Sequence, residues 1–101
     1  MPKVMHEYWY SLATNKLRDY KLQIERETPK MFFGKVMSDG VAIDNFGVRK
    51  DGLNQVIEVR RYSIIQYKVT VDIENEMEAK QKAKELIYNH IMRIADKIMQ
   101  S

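Results

Sequence analysis

Residues 62–100 read YSIIQYKVTVDIENEMEAKQKAKELIYNHIMRIADKIMQ, and the fold turns on a change of period in the middle of that stretch. Over residues 62–71, Ile65, Tyr67, Val69 and Val71 alternate with Gln66, Lys68 and Thr70, the period of two that marks a half-buried β-strand. From Asn75 the period becomes helical. Ala79, Ala83, Leu86, Ile87, His90, Ile91, Ile94, Ala95, Ile98 and Met99 recur at i, i+3, i+4 and i+7 along one stripe. Asn75 suits a helix N-cap, and Glu78 three residues later completes the pattern of a capping box. Glu74, Glu76 and Glu78 fall at the positive end of the helix dipole, with Arg93 and Lys97 at the negative end. The spacing predicts a helix over 75–100 that follows a strand-rich part over 6–71.

Such a helix is about 39 Å long at ~1.5 Å per residue. A domain of this size is only about 33 Å across. The last turns, with Ile94, Ile98 and Met99, are therefore expected to overhang the body. Tyr88 and Met92 lie on a second flank, away from the main stripe. Tyr88, Ile91, Met92, Ile94 and Ile98 are the residues expected to carry self-association, with a second copy of the chain as the simplest partner.

Upstream, period two dominates. Tyr20, Leu22 and Ile24 share one face of residues 17–28, while Lys21, Gln23, Glu25 and Glu27 share the other. Residues 6–13 put Tyr8, Tyr10 and Leu12 on one face and Trp9 on the opposite one. The polar break Thr14-Asn15-Lys16 joins these two segments as a hairpin. Pro29 ends the second strand, because it lacks the N–H that a ladder needs. Residues 31–37 read as a third strand, with Gly34 as a bulge or a point of close packing. The turn Ser38-Asp39-Gly40 leads into a weaker strand over 41–49, and residues 50–54 into a turn or one loose helical turn. The expected fold class is α+β: a curled antiparallel sheet or small SH3-like barrel of five to six strands in up-and-down order, followed by one long helix.

The 101 residues suit a single domain, and 45% hydrophobic with 31% charged residues is an ordinary globular balance. There is no cysteine, so disulfides, thiolate nucleophiles and Cys-ligated zinc are excluded. That absence suits a reducing cytoplasm. Residues 1–7 hold no apolar run of signal-peptide length, and no stretch approaches the ~20 apolar residues of a membrane span, so no membrane partner is expected. A net charge of +3, from 17 cationic and 14 anionic side chains, permits nucleic acid without demanding it.

Catalytic chemistry finds little material. His90 lies on the apolar stripe and reads as a packing residue, and His6 lies near a terminus where chains fray. Two distant histidines do not make a zinc site, and Asp72, Glu74, Glu76 and Glu78 read as helix-start acids before they read as a cation site. Gly34, Gly40, Gly47 and Gly52 have neither phosphate-loop nor dinucleotide spacing, and no serine carries a nucleophile motif. No enzyme, metal or cofactor is expected.

Binding features are richer. Arg49-Lys50 and Arg60-Arg61 bracket residues 51–59, and would cluster on one rim to grip phosphates if the two flanking strands pair. The plainer reading is a solvated edge kept from aggregating by its charges. Tyr8, Trp9 and Tyr10, with Tyr62, offer an aromatic surface for bases or for a protein partner. For Trp9 the competing reading is burial under the helix.

An aromatic N-terminal hairpin, then Val48-Arg49-Lys50-Asp51-Gly52-Leu53-Asn54, a β-rich stretch, and Glu78-Ala79 with Lys82-Ala83-Lys84-Glu85-Leu86-Ile87 form a recognisable layout. It resembles that of small uncharacterised accessory proteins of phages and prophages in low-GC Gram-positive bacteria. The resemblance implies a role in binding a host protein or countering a host system, and it brings no catalytic residues. Three readings follow. The first is a non-catalytic protein-interaction module, binding itself or a host protein. The second is a small-barrel nucleic-acid binder that uses Arg49, Lys50, Arg60 and Arg61 with Trp9 or Tyr62. The third is a binder of a small anion such as a nucleotide.

Overall fold

The computed structural model describes residues 3–101, so Met1 and Pro2 lie outside the described residues. Six antiparallel strands form one sheet: β1 (Val4–Ser11), β2 (Lys16–Glu27), β3 (Met31–Ser38), β4 (Val41–Arg49), β5 (Ile57–Arg61) and β6 (Ile64–Val71). A short 3-10 turn at Lys50–Gly52 separates β4 from β5, and the helix α1 (Glu76–Gln100) ends the chain. The α+β class and the C-terminal helix agree with the sequence reading.

The strand order is β4-β3-β2-β1-β6-β5, which departs from simple up-and-down order. The first four strands meander, but the chain then crosses from one edge of the sheet to the other. Across a flat sheet the two edges would stand about 24 Å apart, at ~4.8 Å per strand. Residues 50–56 contain the 3-10 turn and a left-handed bend at Asn54 (φ 60°), so they are too short to cover that distance with ease. The sheet curls into a half-barrel, and Asn54 docks by donating its N–H to the Thr70 carbonyl at 2.8 Å. β4 and β5 remain as two separate edges, so the barrel is not closed.

Local signals explain the turns. Asp39 (φ 52°) and Gly40 (φ 79°) make the tight β3–β4 turn. Gly34 is a point of close packing: a Cβ there would stand 1.9 Å from the Gln23 carbonyl oxygen. The bulge lies opposite, on β2, where the register shifts between Ile24 and Arg26. Residues 62–71 do not form one strand. Tyr62 (φ 49°) and Ser63 (φ 70°) are the turn of the β5–β6 hairpin, and β6 starts at Ile64.

Both sheet faces carry a core. On the outer face Tyr8, Tyr67, Val69 and Val71 pack under Ala79, Ala83 and Ile87 of α1. The alanines are fully buried, and their small side chains let the helix lie close to β1 and β6. On the inner face Met5, Leu22 and Phe32 are buried with Ile24, Val36, Phe46, Val48 and Leu53 around them. The Asn75 side chain accepts the Glu78 N–H at 3.0 Å, which is the N-cap half of the expected capping box. His6 is buried rather than frayed, with its Nε2 3.0 Å from the Glu74 carbonyl oxygen. His90 meets the Tyr67 ring edge-on at 5.5 Å, in keeping with a packing role. Among the described residues, no helix is long and apolar enough to cross a membrane.

Candidate binding site

Period two assigns each strand residue to the inner or the outer face, and strand pairing then lines the residues up in rungs. Trp9 on β1 stands opposite Arg18 on β2 and opposite Lys68 on β6. Side chains paired across neighbouring strands share a face. The sheet therefore presents an Arg18–Trp9–Lys68 rung, an aromatic ring with a cation on either side. The next rung toward β1's start is Tyr20–Glu7–Thr70, and the rung beyond Trp9 is Lys16–Ser11–Gln66. Met5 and Leu22 lie on the same face further along, so the rung lies above the inner core.

Arg61 of β5 and Ile43 of β4 come from opposite edges of the sheet, yet they line one cavity. This identifies the rung's face as the concave one. Two cavities, of about 290 and about 350 Å³, share Glu7, Trp9, Val36 and Asp44 in their walls. Arg18, Tyr20 and Arg61 line the first and Lys68 the second.

The Trp9 ring is held in place. Its Nε1 donates to Glu7 Oε1 at 2.6 Å, while Lys68 Nζ lies 5.4 Å from the ring centroid and 4.0 Å from the Glu7 carboxylate. Glu7 therefore answers both the indole N–H and one cation. Among the described residues no ion pair holds Arg18 or Arg61, so both guanidinium groups are unpaired beside a groove whose walls also carry the carboxylates of Glu7 and Asp44. The Ser11 hydroxyl, one rung from Trp9, is buried and has no hydrogen-bond partner. A preset aromatic ring beside unpaired guanidinium groups can stack on a planar ligand and hold its anionic groups.

The other expected site residues are scattered. Arg49-Lys50 and Arg60-Arg61 do not assemble: their strands do not pair, and Arg61 approaches the start of β4 at Ile43 and Asp44 while Arg49 closes its far end opposite Met31. Arg49 is held by Asp51 through two bonds, of 3.0 and 3.1 Å. Their pairing raises the arginine's pKa and lowers that of the aspartate. Lys50 is paired with Glu27 and stands over the Phe32 ring at 4.9 Å. Only Arg61 joins the groove. Arg60 shares the outer face with Ile65, its partner across the β5–β6 hairpin.

Of the four aromatic residues, Tyr8 is fully buried under the helix and is not available for contact. Its burial, followed by the charges of Asp19 and Glu76, pushes its hydroxyl up to about 12. Tyr10 packs at the border of the outer core and donates its hydroxyl to Asn15 at 2.9 Å. Tyr62 is 96% exposed at a hairpin tip. Trp9 lies on the face away from the helix, so the reading that placed it beneath α1 does not hold. Ile91 and Ile94 pack against the outer core, while Tyr88, Met92 and Ile98 are exposed.

Sequence reading missed Arg18 and Lys68. Arg18 was within reach, since a β1–β2 hairpin turning at residues 12–15 sets Trp9 against it. Lys68 was not, because the pairing of β1 with β6 is long-range.

Among the described residues, no group of three or more His, Asp or Glu side chains is placed to hold a metal ion. Compared with protein families, curated proteins and solved structures, the chain finds no match.

Proposed function

We propose that this chain is a non-catalytic binding module that takes a single strand of nucleic acid on the concave face of its half-barrel. The observation that carries this reading is the Arg18–Trp9–Lys68 rung, open to solvent and continued by Arg61 and Tyr20. Base stacking on an aromatic side chain tolerates any sequence, and flanking cations follow the phosphates. The role needs no titrating group. A stoichiometric binder of this kind fits the accessory role that the layout resemblance implies, and the lack of cysteine fits a cytoplasmic setting.

The test is the affinity of a labelled single strand at low and moderate salt. Binding should weaken with a log–log slope near 0.7 for each phosphate neutralised. Arg18→Ala and Lys68→Ala should each reduce that slope by about 0.7. Arg49→Ala, at a residue that lines neither cavity of the groove, should leave it unchanged. A flat salt response, or an equal loss in Arg49→Ala, contradicts the proposal. Stabilisation by a mononucleotide but not by longer strands would move the assignment to a small-anion site.

A protein-interaction role draws its support from a different surface, the outer flank of α1. Tyr8 is beneath the helix, and the N-terminal strand offers no exposed aromatic ridge on that side.

A further inference from the structure

The helix carries a second apolar line that the core does not use. Tyr88, Met92, Ala95 and Met99 recur at steps of four, three and four, the spacing of a coiled-coil seam. At ~100° per residue this line lies roughly 150° around α1 from the Ala79–Ala83–Ile87 stripe. It therefore lies off the packed stripe. Tyr88 and Met92 rim the cavity of about 420 Å³ between α1 and the β1–β2 hairpin, beside Tyr10, Leu12 and Leu17, and Met99 lies beyond it. Tyr88, Met92 and Met99 are 63, 42 and 84% exposed, and neighbouring Ile98 is 68% exposed. The molecule measures 45 Å along its longest axis against 27 and 26 Å across.

From this we infer that α1 pairs antiparallel with α1 of a second copy along this seam. The seam is self-complementary about a two-fold axis midway between Tyr88 and Met99. In that arrangement Tyr88 meets the other copy's Met99, and Met92 meets its Ala95, so each large residue faces a partner of suitable size. On one side of the seam Ile91 faces Ile98, and on the other Asn89 faces Asp96, a donor against a carboxylate. Lys84 lies beside the carbonyl end of the opposing helix, where a cation is favourable. With Leu12 57% exposed at its border, the seam joins exposed apolar side chains into one patch, and a contiguous patch of this kind marks a protein–protein contact. A lone helix of another protein would have no reason to match these residues about a two-fold axis. The pairing leaves both concave grooves open and does not depend on what they bind.

Mass in solution and cysteine cross-linking test this directly, because the chain has no cysteine of its own. The dimer predicts twice the 12.0 kDa chain mass at micromolar concentration. Met92→Glu should return it to one chain mass with an unchanged circular-dichroism spectrum. Under mild oxidation an equal mixture of Tyr88→Cys and Met99→Cys chains should cross-link, and each variant alone should not. A single-chain mass throughout overturns the inference. So does a dimer that survives Met92→Glu, or efficient cross-linking of either variant to itself, which would indicate parallel helices. Strand binding by Met92→Glu separates this interface from the groove, since only the dimer should be lost.

Discussion

Tyr8 and Trp9 are neighbours in the chain and opposites in the molecule. Tyr8 points to the outer face, where α1 removes it from water, and its hydroxyl comes only within 3.5 Å of the Glu76 carbonyl oxygen. Trp9 points to the inner face, where its N–H is answered by Glu7 and its ring stays half open between two cations. The outer face under α1 is a packed interior. The inner face is packed around Met5, Leu22 and Phe32 and opens into two cavities beside Trp9. The difference teaches where stability and binding reside: one pleated strand supplies a core residue and a binding residue in succession.

The sharpest way to break this comparison is to remove each ring in turn. Tyr8→Ala should cost about 3–5 kcal/mol, the usual loss on deleting a fully buried aromatic side chain. Trp9→Ala should cost less than half as much in urea denaturation, yet weaken single-strand binding by about 1–3 kcal/mol, or roughly 5- to 150-fold. Equal losses of stability would erase the distinction between the faces.

Next in size is Gly34→Ala. A methyl group there collides with the β2 backbone, whose bulge cannot yield without breaking the ladder. The expected loss is about 2–3 kcal/mol, read from the denaturation midpoint. It bears on the inner face, because the added methyl would also stand 2.9 Å from the Phe46 ring.

Alkaline pH probes the outer face through Tyr8. The Tyr8 hydroxyl ionises near 10.0 in the unfolded chain and at about 12 in the folded one, so the folded state holds its proton more tightly. The resulting stability is fully present below pH 10 and is lost as the pH rises from there through about 12. Tyr8→Phe should flatten the decline over that window in thermal melts, and Trp9→Phe should not.

The smallest expected effect lies at the β5–β6 tip. Tyr62 and Ser63 both adopt left-handed φ values that Asn-Gly adopts more readily. Replacing the pair with Asn-Gly should raise stability by about 0.5–1 kcal/mol. Groove binding should be unaffected, since neither residue lines it.

Much of this architecture is legible in the sequence for reasons that are local. Asn75 announces the helix, and the alternation around Trp9 is enough to separate it from Tyr8. The features that stay hidden are long-range or carry no turn signal. A Tyr-Ser turn has none of the Asn-Gly signature, so β5 and β6 merge into one segment near residues 62–71. The crossing from β4 to β5 depends on sheet curl, which no short window encodes. For the same reason Arg49, Lys50, Arg60 and Arg61 read as neighbours in the sequence, whereas the fold puts them at opposite ends of two edge strands that do not pair. The Arg18–Trp9–Lys68 rung is hidden because its members come together only through pairing on both sides of β1.

Trp9 is the only tryptophan in the chain, so the groove carries its own reporter. The most direct test of strand binding on the concave face is titration of intrinsic fluorescence with an unlabelled single-stranded oligonucleotide. The expected result is saturable quenching that shifts to higher ligand concentration as salt is raised, and that Arg18→Ala weakens. Fluorescence that stays constant in a folded protein, while a labelled strand still binds, would place the ligand elsewhere and contradict the assignment of the concave face.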